Sequence, residues 1–172
     1  MSGARLLAVA ALLAGCSGAP LQSDWEREHL PALAAEQEPA PPPFPRAADL
    51  AAIDVPGAGA FRFYVDARTL SVGRDRIVRY VLVARSASGA ENVSFEAIRC
   101  ATRQYRIYAI GHRDGTWGGS PTEWRTLRGS AVPPARRALY QDYFCADAMP
   151  VRDTEEALAA LHQVRRTRDV TD

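Results

Sequence analysis

The stretch from Ile77 to Ile110, IVRYVLVARSASGAENVSFEAIRCATRQYRIYAI, constrains the fold more than any other. Three runs rich in β-branched and aromatic residues follow one another, separated by short polar connections of turn character. Such spacing predicts consecutive strands of an antiparallel meander. Within Ile77–Arg85 the residues Val78, Tyr80, Leu82 and Ala84 make the more continuous apolar face. Asn92–Cys100 is the middle strand, and Gln104–Ile110 the third, with Tyr105, Ile107 and Ala109 expected on one side. Upstream, Phe61, Phe63 and Val65 alternate with Arg62, Tyr64 and Asp66, the period of a half-buried strand. Thr69–Val72 is either a short strand of its own or the continuation of that strand after a bulge. Trp124–Leu127 completes a sheet of about five strands.

Downstream the period changes to that of helices. Pro133-Pro134 opens ARRALYQDYFC, where proline suits the first turn and Ala135, Ala138, Leu139 and Tyr143 share a face. Asp153-Thr154-Glu155-Glu156 resembles a capping box. It starts a second helix through about Arg166, with Ala157, Leu158, Leu161 and Val164 inward. The expected class is therefore α+β: an antiparallel sheet with C-terminal helices packed on it, a small closed barrel being the alternative.

The N-terminus has a different character. Met1–Arg5 carries one charge, and Leu6–Ala14 is an apolar run of nine, too short to span a bilayer, which takes roughly 20 residues as a helix. It fits a secretory signal and ends in Leu13-Ala14-Gly15-Cys16. That resembles a bacterial lipobox, which implies a signal peptide of residues 1–15, cleavage before Cys16 and lipid on its sulfur. Several acyl chains give a stable membrane anchor where one does not. Ser17, with no aspartate beside the cysteine, points to the outer membrane, on its periplasmic side. If Cys16 is acylated, Cys100 and Cys145 remain as one pair in an oxidising compartment. The alternatives are two buried thiols or a plain signal peptide with Cys16 free. Neither Cys100 nor Cys145 has a cysteine or histidine at metal-ligand spacing.

Residues 16–60 read as an acidic arm: Ser17–Ala60 holds 2 Arg against 7 acids, while Phe61–Cys145 holds 14 Arg against 7. Ser23-Asp24-Trp25-Glu26 looks like the start of a short helix, interrupted at Pro31. Pro39, Pro41, Pro42, Pro43 and Pro45 then favour an extended polyproline segment, read as a spacer. Leu50, Ile53 and Val55 are placed to rejoin the domain, whose bounds are set at 61–166 with a frayed tail at 167–172.

The residues FYVDARTLSVGRDRIVRYVLVARSASGAENVSFEAIRC, YRIYAIG with DGTW, and ALYQDYFC resemble the CNP1-like family of bacterial envelope proteins. Trp25-Glu26 and Leu30-Pro31 fit as well, so the resemblance runs from about Asp24 to Leu161. Ala97 stands where that family often has glycine. The resemblance implies an exported single domain and brings no catalytic residues.

Nothing in the chain assembles a catalytic set. All 21 basic residues are arginine, which excludes lysine chemistry. A hydrolase in the 111–124 loop would have to recruit His112, with no G-x-S-x-G beside it. No phosphate-binding glycine loop and no cofactor is expected, and export disfavours nucleic acid. Two binding readings remain. One is an envelope protein partner for a lipid-anchored module. The other is an anionic polymer, peptidoglycan or lipopolysaccharide, meeting the strand arginines Arg62, Arg79, Arg85, Arg99 and Arg106. Trp117 and Trp124, with Arg79 and Arg99, are the candidate ligand-binding side chains.

Overall fold

A computed structural model describes residues 38–119 and 121–169. Cys16, the signal segment and the Ser23–Pro31 stretch lie outside the described residues. The sheet begins with β1 (Leu50–Ile53), β2 (Phe61–Asp66), β3 (Ser71–Val72) and β4 (Ile77–Ser86). It continues with β5 (Glu91–Arg99), β6 (Gln104–Gly111), β7 (Trp117–Gly118) and β8 (Arg125–Thr126). Every pairing is antiparallel, in the order β1-β2-β4-β5-β6-β7, with β3 added to β4 and β8 to β6. β1 and β7 are opposite ends of that order, so the sheet is open and not a barrel. β2, β4, β5 and β6 are the expected meander, the last expected strand, Trp124–Leu127, is reduced to the two residues of β8, and the class is α+β.

β2 and β3 lie end to end along the same edge of β4. The turn between them explains a buried acid. Asp66 accepts from Thr69 Oγ1 at 2.8 Å and from the Arg68 amide at 3.2 Å, so its charge is hydrogen-bonded where it is buried. The β4–β5 hairpin turns at Gly89, whose φ of 83° suits a residue without Cβ.

The expected alternation on β6 fails at one point. Glu96 faces Ile107 and Phe95 faces Ala109, leaving Tyr108 as an extra residue. Tyr105 and Ile107 therefore face the helices, while Tyr108 and Ala109 pack on the other side. A bulge inserts one residue and shifts the period of two, which the apolar pattern alone does not reveal.

On one sheet face sit α1 (Pro134–Ala138), a π-helical turn Leu139–Phe144 that continues it, and α2 (Thr154–Asp169). Between them β9 (Cys145–Ala146) and β10 (Met149–Pro150) form a small ladder. Asp153 caps α2 by accepting from the Glu156 amide at 2.9 Å, and Glu156 reaches back to the Arg152 amide. Ala157 and Leu161 are buried as expected, and Thr154 Oγ1 accepts from the Val72 amide, tying the helix to β3. The helical backbone runs to Asp169, beyond the expected end at Arg166. Among the described residues no helix is long and apolar enough to cross a membrane.

The core on this face joins Val78, Tyr80, Leu82 and Ile98 to Leu139, Phe144 and Leu161. Cys100 and Cys145 are bonded, with Cα atoms 5.4 Å apart. The other face carries a second core of Ile77, Val81, Val83, Val93, Phe95 and Tyr108, and Phe44, Trp117 and Trp124 pack over it. Burial on both faces accounts for the continuous apolar character of β4.

The structural boundary also differs from residue 61. β1 lies inside the segment read as arm, and Phe44 and Pro42 contact Trp117. The small apolar run Leu50–Ile53 pairs with β2 and covers an edge that would otherwise leave backbone groups unpaired.

Candidate functional site

The strand arginines share one face, set by the period of two. Ala97 on β5 lies directly between Arg79 on β4 and Arg106 on β6. Its methyl leaves room for both long side chains, which gives the glycine-or-alanine position a packing reason. Arg79 donates to both carboxylate oxygens of Asp75, at 3.1 and 2.6 Å. Burial alone would raise the Asp75 carboxyl, but the Arg79 hydrogen bonds and charge hold it below its ordinary value. Arg99 lies over the Trp124 ring at 4.2 Å and Arg106 over Tyr108 at 5.4 Å. Arg106 also donates to the Thr122 carbonyl at 2.7 Å and pairs with Glu38 at 3.8 Å. Arg85 pairs with Glu91, leaving Arg62, directly opposite it, as the exposed member.

Trp117 is engaged by the chain's own proline segment. Its Nε1–H donates to the Pro42 carbonyl at 2.7 Å, and the Phe44 ring stands 5.2 Å away, centroid to centroid. Gly111 permits this approach, since a Cβ there would lie 2.8 Å from the Phe44 ring and from Val93. An open cleft of about 500 Å³ is lined by Pro39, Pro41, Tyr108, Trp117 and Pro121. Extended proline backbone has no internal hydrogen bonds, so its carbonyls are open to a donor such as this indole. The segment read as a spacer therefore packs on the sheet from Pro39 onward. Trp117→Phe keeps an aromatic side chain and removes the donor, a hydrogen-bond loss of about 1 kcal/mol. Tryptic cleavage after Arg46 is expected to speed up about fivefold, as the locally open population rises. An unchanged cleavage rate would mean that the indole does not hold the segment.

Of the four candidate ligand-binding side chains, Arg79 and Asp75 thus neutralise one another, Arg99 stacks on Trp124, and Trp117 holds Pro42. His112 is exposed on its loop. Asp114 beside it accepts from the amide and the hydroxyl of Thr116, and these bonds lower its pKa. The pair forms a turn.

Among the described residues the most enclosed ion pair lies under α1. Glu96, 0% exposed, receives Arg136 Nε at 2.8 Å on Oε2 and Nη2 at 2.6 Å on Oε1. Ser94 Oγ donates to Oε1 at 2.5 Å and Tyr80 OH to Oε2 at 3.2 Å. The four donors fill the roughly four lone-pair sites of a carboxylate, so it has no open site for a further donor. Burial, and after it the Glu96 charge, pushes the Tyr80 phenol well above its ordinary value. Burial would lower the Arg136 guanidinium, and the Glu96 charge and hydrogen bonds outweigh that effect and raise it. Its guanidinium lies 4.9 Å over the Tyr105 ring. In sequence Glu96 stands among scattered acids and looks like a surface partner. The missed signal is its parity, because it alternates with Ile98 and Cys100 on the helix-facing side of β5.

Glu96 and Cys100 thus hold the two ends of one segment. Arg136 in α1 binds the first, and Cys145, just after the π-helical turn, bonds to the second. Chemically this is a clamp fastening a helix to a sheet.

No curated protein and no solved structure matches the chain. A family model does match, over residues 32–162, and this span takes in the proline segment, both sheet faces and the clamp. The chain belongs to the CNP1-like family.

Proposed function

We propose that the chain is an exported module, held at the outer membrane by a lipidated Cys16, that works by binding an envelope protein and not by catalysis. The Cys100–Cys145 bond carries this reading. Such bonds persist in oxidising compartments and are rare in the cytosol. With these two cysteines joined, the third is the one in Leu13-Ala14-Gly15-Cys16, where the preceding apolar run suits export. The buried charges support binding over catalysis, because Glu96 with Arg136 and Asp75 with Arg79 are matched to each other. Peptidoglycan or lipopolysaccharide binding through the strand arginines is the weaker reading, since Arg79, Arg85, Arg99 and Arg106 have internal work.

Crosslinking in intact cells, followed by purification of the tagged chain, tests the proposal. One envelope protein is expected at a stoichiometric level, with its yield falling sharply for Cys16→Ala. Recovery of the chain alone from wild-type membranes would contradict it.

A further inference from the structure

Arg99–Arg137 holds eight arginines against two acids, Asp114 and Glu123. Arg99, Arg106 and Arg136 are engaged as described above, and Arg137 donates to the carbonyls of Gly129, Ser130 and Val132. Arg103, Arg113, Arg125 and Arg128 are different: all four are exposed, and no ion pair joins any of them to an acid among the described residues, but Arg113 stands apart, beyond the far end of β6 from Arg103. Arg103, Arg125 and Arg128 remain.

The fold collects these three at one corner. The Leu127 amide donates to the Arg103 carbonyl at 2.8 Å, next to the register pairs Gln104–Thr126 and Tyr105–Arg125. Arg103, Arg125 and Arg128 thus arise from backbone within a few residues of one contact, on the order of 10 Å at strand spacing. The corner is held rigidly, by the Arg128 amide donating to Thr126 Oγ1, by Arg137 on the 129–132 carbonyls and by the disulfide at Cys100. Arg103 also has φ of 54°, a left-handed conformation that asparagine or glycine adopts more easily. The chain keeps a long cation at a strained position, and such strain concentrates at functional sites.

The location of the arm indicates what meets this corner. Glu38, where the described chain starts, pairs with Arg106 on β6, three residues after Arg103 in the turn that precedes that strand. From Cys16 to Glu38 is twenty-two residues, which reach at most about 75 Å. A membrane holding Cys16 is therefore tethered within that distance of Glu38 and is present at high effective concentration. We propose that Arg103, Arg125 and Arg128 form a seat for the phosphates of anionic lipid headgroups, so that the domain rests on the membrane to which it is tethered. The tether itself rests on the reading of Cys16 above, but the seat is tested without it.

The experiment takes the full chain carrying Cys16→Ala, so that no acyl group contributes, and measures co-sedimentation with phosphatidylglycerol vesicles and with phosphatidylcholine vesicles. Apolar attachment would be alike on both, so the readout is the difference. Selective binding to phosphatidylglycerol is expected, weakening as salt rises from about 0.01 M to about 0.15 M and the screening length shrinks from about 30 to about 8 Å. The triple variant R103N/R125Q/R128Q should lose about 100-fold of that selective affinity, at roughly fivefold per arginine. Asparagine suits the backbone at 103, so this variant should fold. The control R62Q/R68Q/R74Q, with equal charge removed elsewhere, should bind as the parent does. Equal binding by both triple variants, no preference for phosphatidylglycerol, or capture of polyglutamate in place of vesicles would each overturn the seat. None of these results bears on whether Cys16 is lipidated.

Discussion

Arg136→Ala is expected to lower the unfolding free energy by about 3–5 kcal/mol, the cost of removing one partner from a buried ion pair. The reason lies in what stays behind. Glu96 is fully enclosed, and without the guanidinium its carboxylate keeps only Ser94 and Tyr80 as donors. Tyr105 loses the cation stacked on it as well. Against the usual 5–15 kcal/mol of a whole domain this loss is large, and urea unfolding should show a midpoint lower by roughly 2 M at an ordinary slope. Replacing both partners by apolar residues of similar volume, Glu96→Leu with Arg136→Met, should restore most of the loss, since the desolvation of two charges disappears together. A single variant within about 0.5 kcal/mol of the parent would show that Glu96 is hydrated and that the clamp is not closed in solution.

Removing the disulfide by Cys100→Ala with Cys145→Ala is expected to cost about 4 kcal/mol on the chain-entropy model, given the sequence separation of 45. Thermal unfolding should fall by about 10 °C for a domain of this size, and the variant should no longer respond to reductant. The two losses should fall short of additive, because both changes release the same segment from β5. Equal melting of the parent with and without reductant, under conditions shown to reduce the bond, would contradict the entropic account.

Much of the sheet was legible because the period of two is local. The inward set of Val78, Tyr80 and Leu82, the helix start at Pro134 and the Asp153 cap follow from neighbouring residues. The bulge at Tyr108 was not legible, because an apolar run such as Ile107–Ile110 fits either parity and only the partner strand decides. The proline segment illustrates the same limit. An extended, donor-poor chain suits a spacer as well as a docked strap, and the choice is made by an indole 75 residues away. At the candidate site the cysteine pair was accessible by counting, whereas the clamp was not. Glu96 has its countercharge 40 residues downstream, and a lone acid shows its burial only through its place on the helix-facing side of a strand.

The proposed function divides the three cysteines, one for the membrane and two for the fold. Mass spectrometry of the chain extracted from cell envelopes, with free thiols alkylated before digestion, tests it most directly. The predicted result is an N-terminal peptide beginning at Cys16 with diacylglyceryl and acyl mass added, together with a disulfide-linked peptide pair containing Cys100 and Cys145. An intact Met1–Cys16 segment with an alkylated Cys16, or alkylated Cys100 and Cys145 in the mature chain, would contradict it.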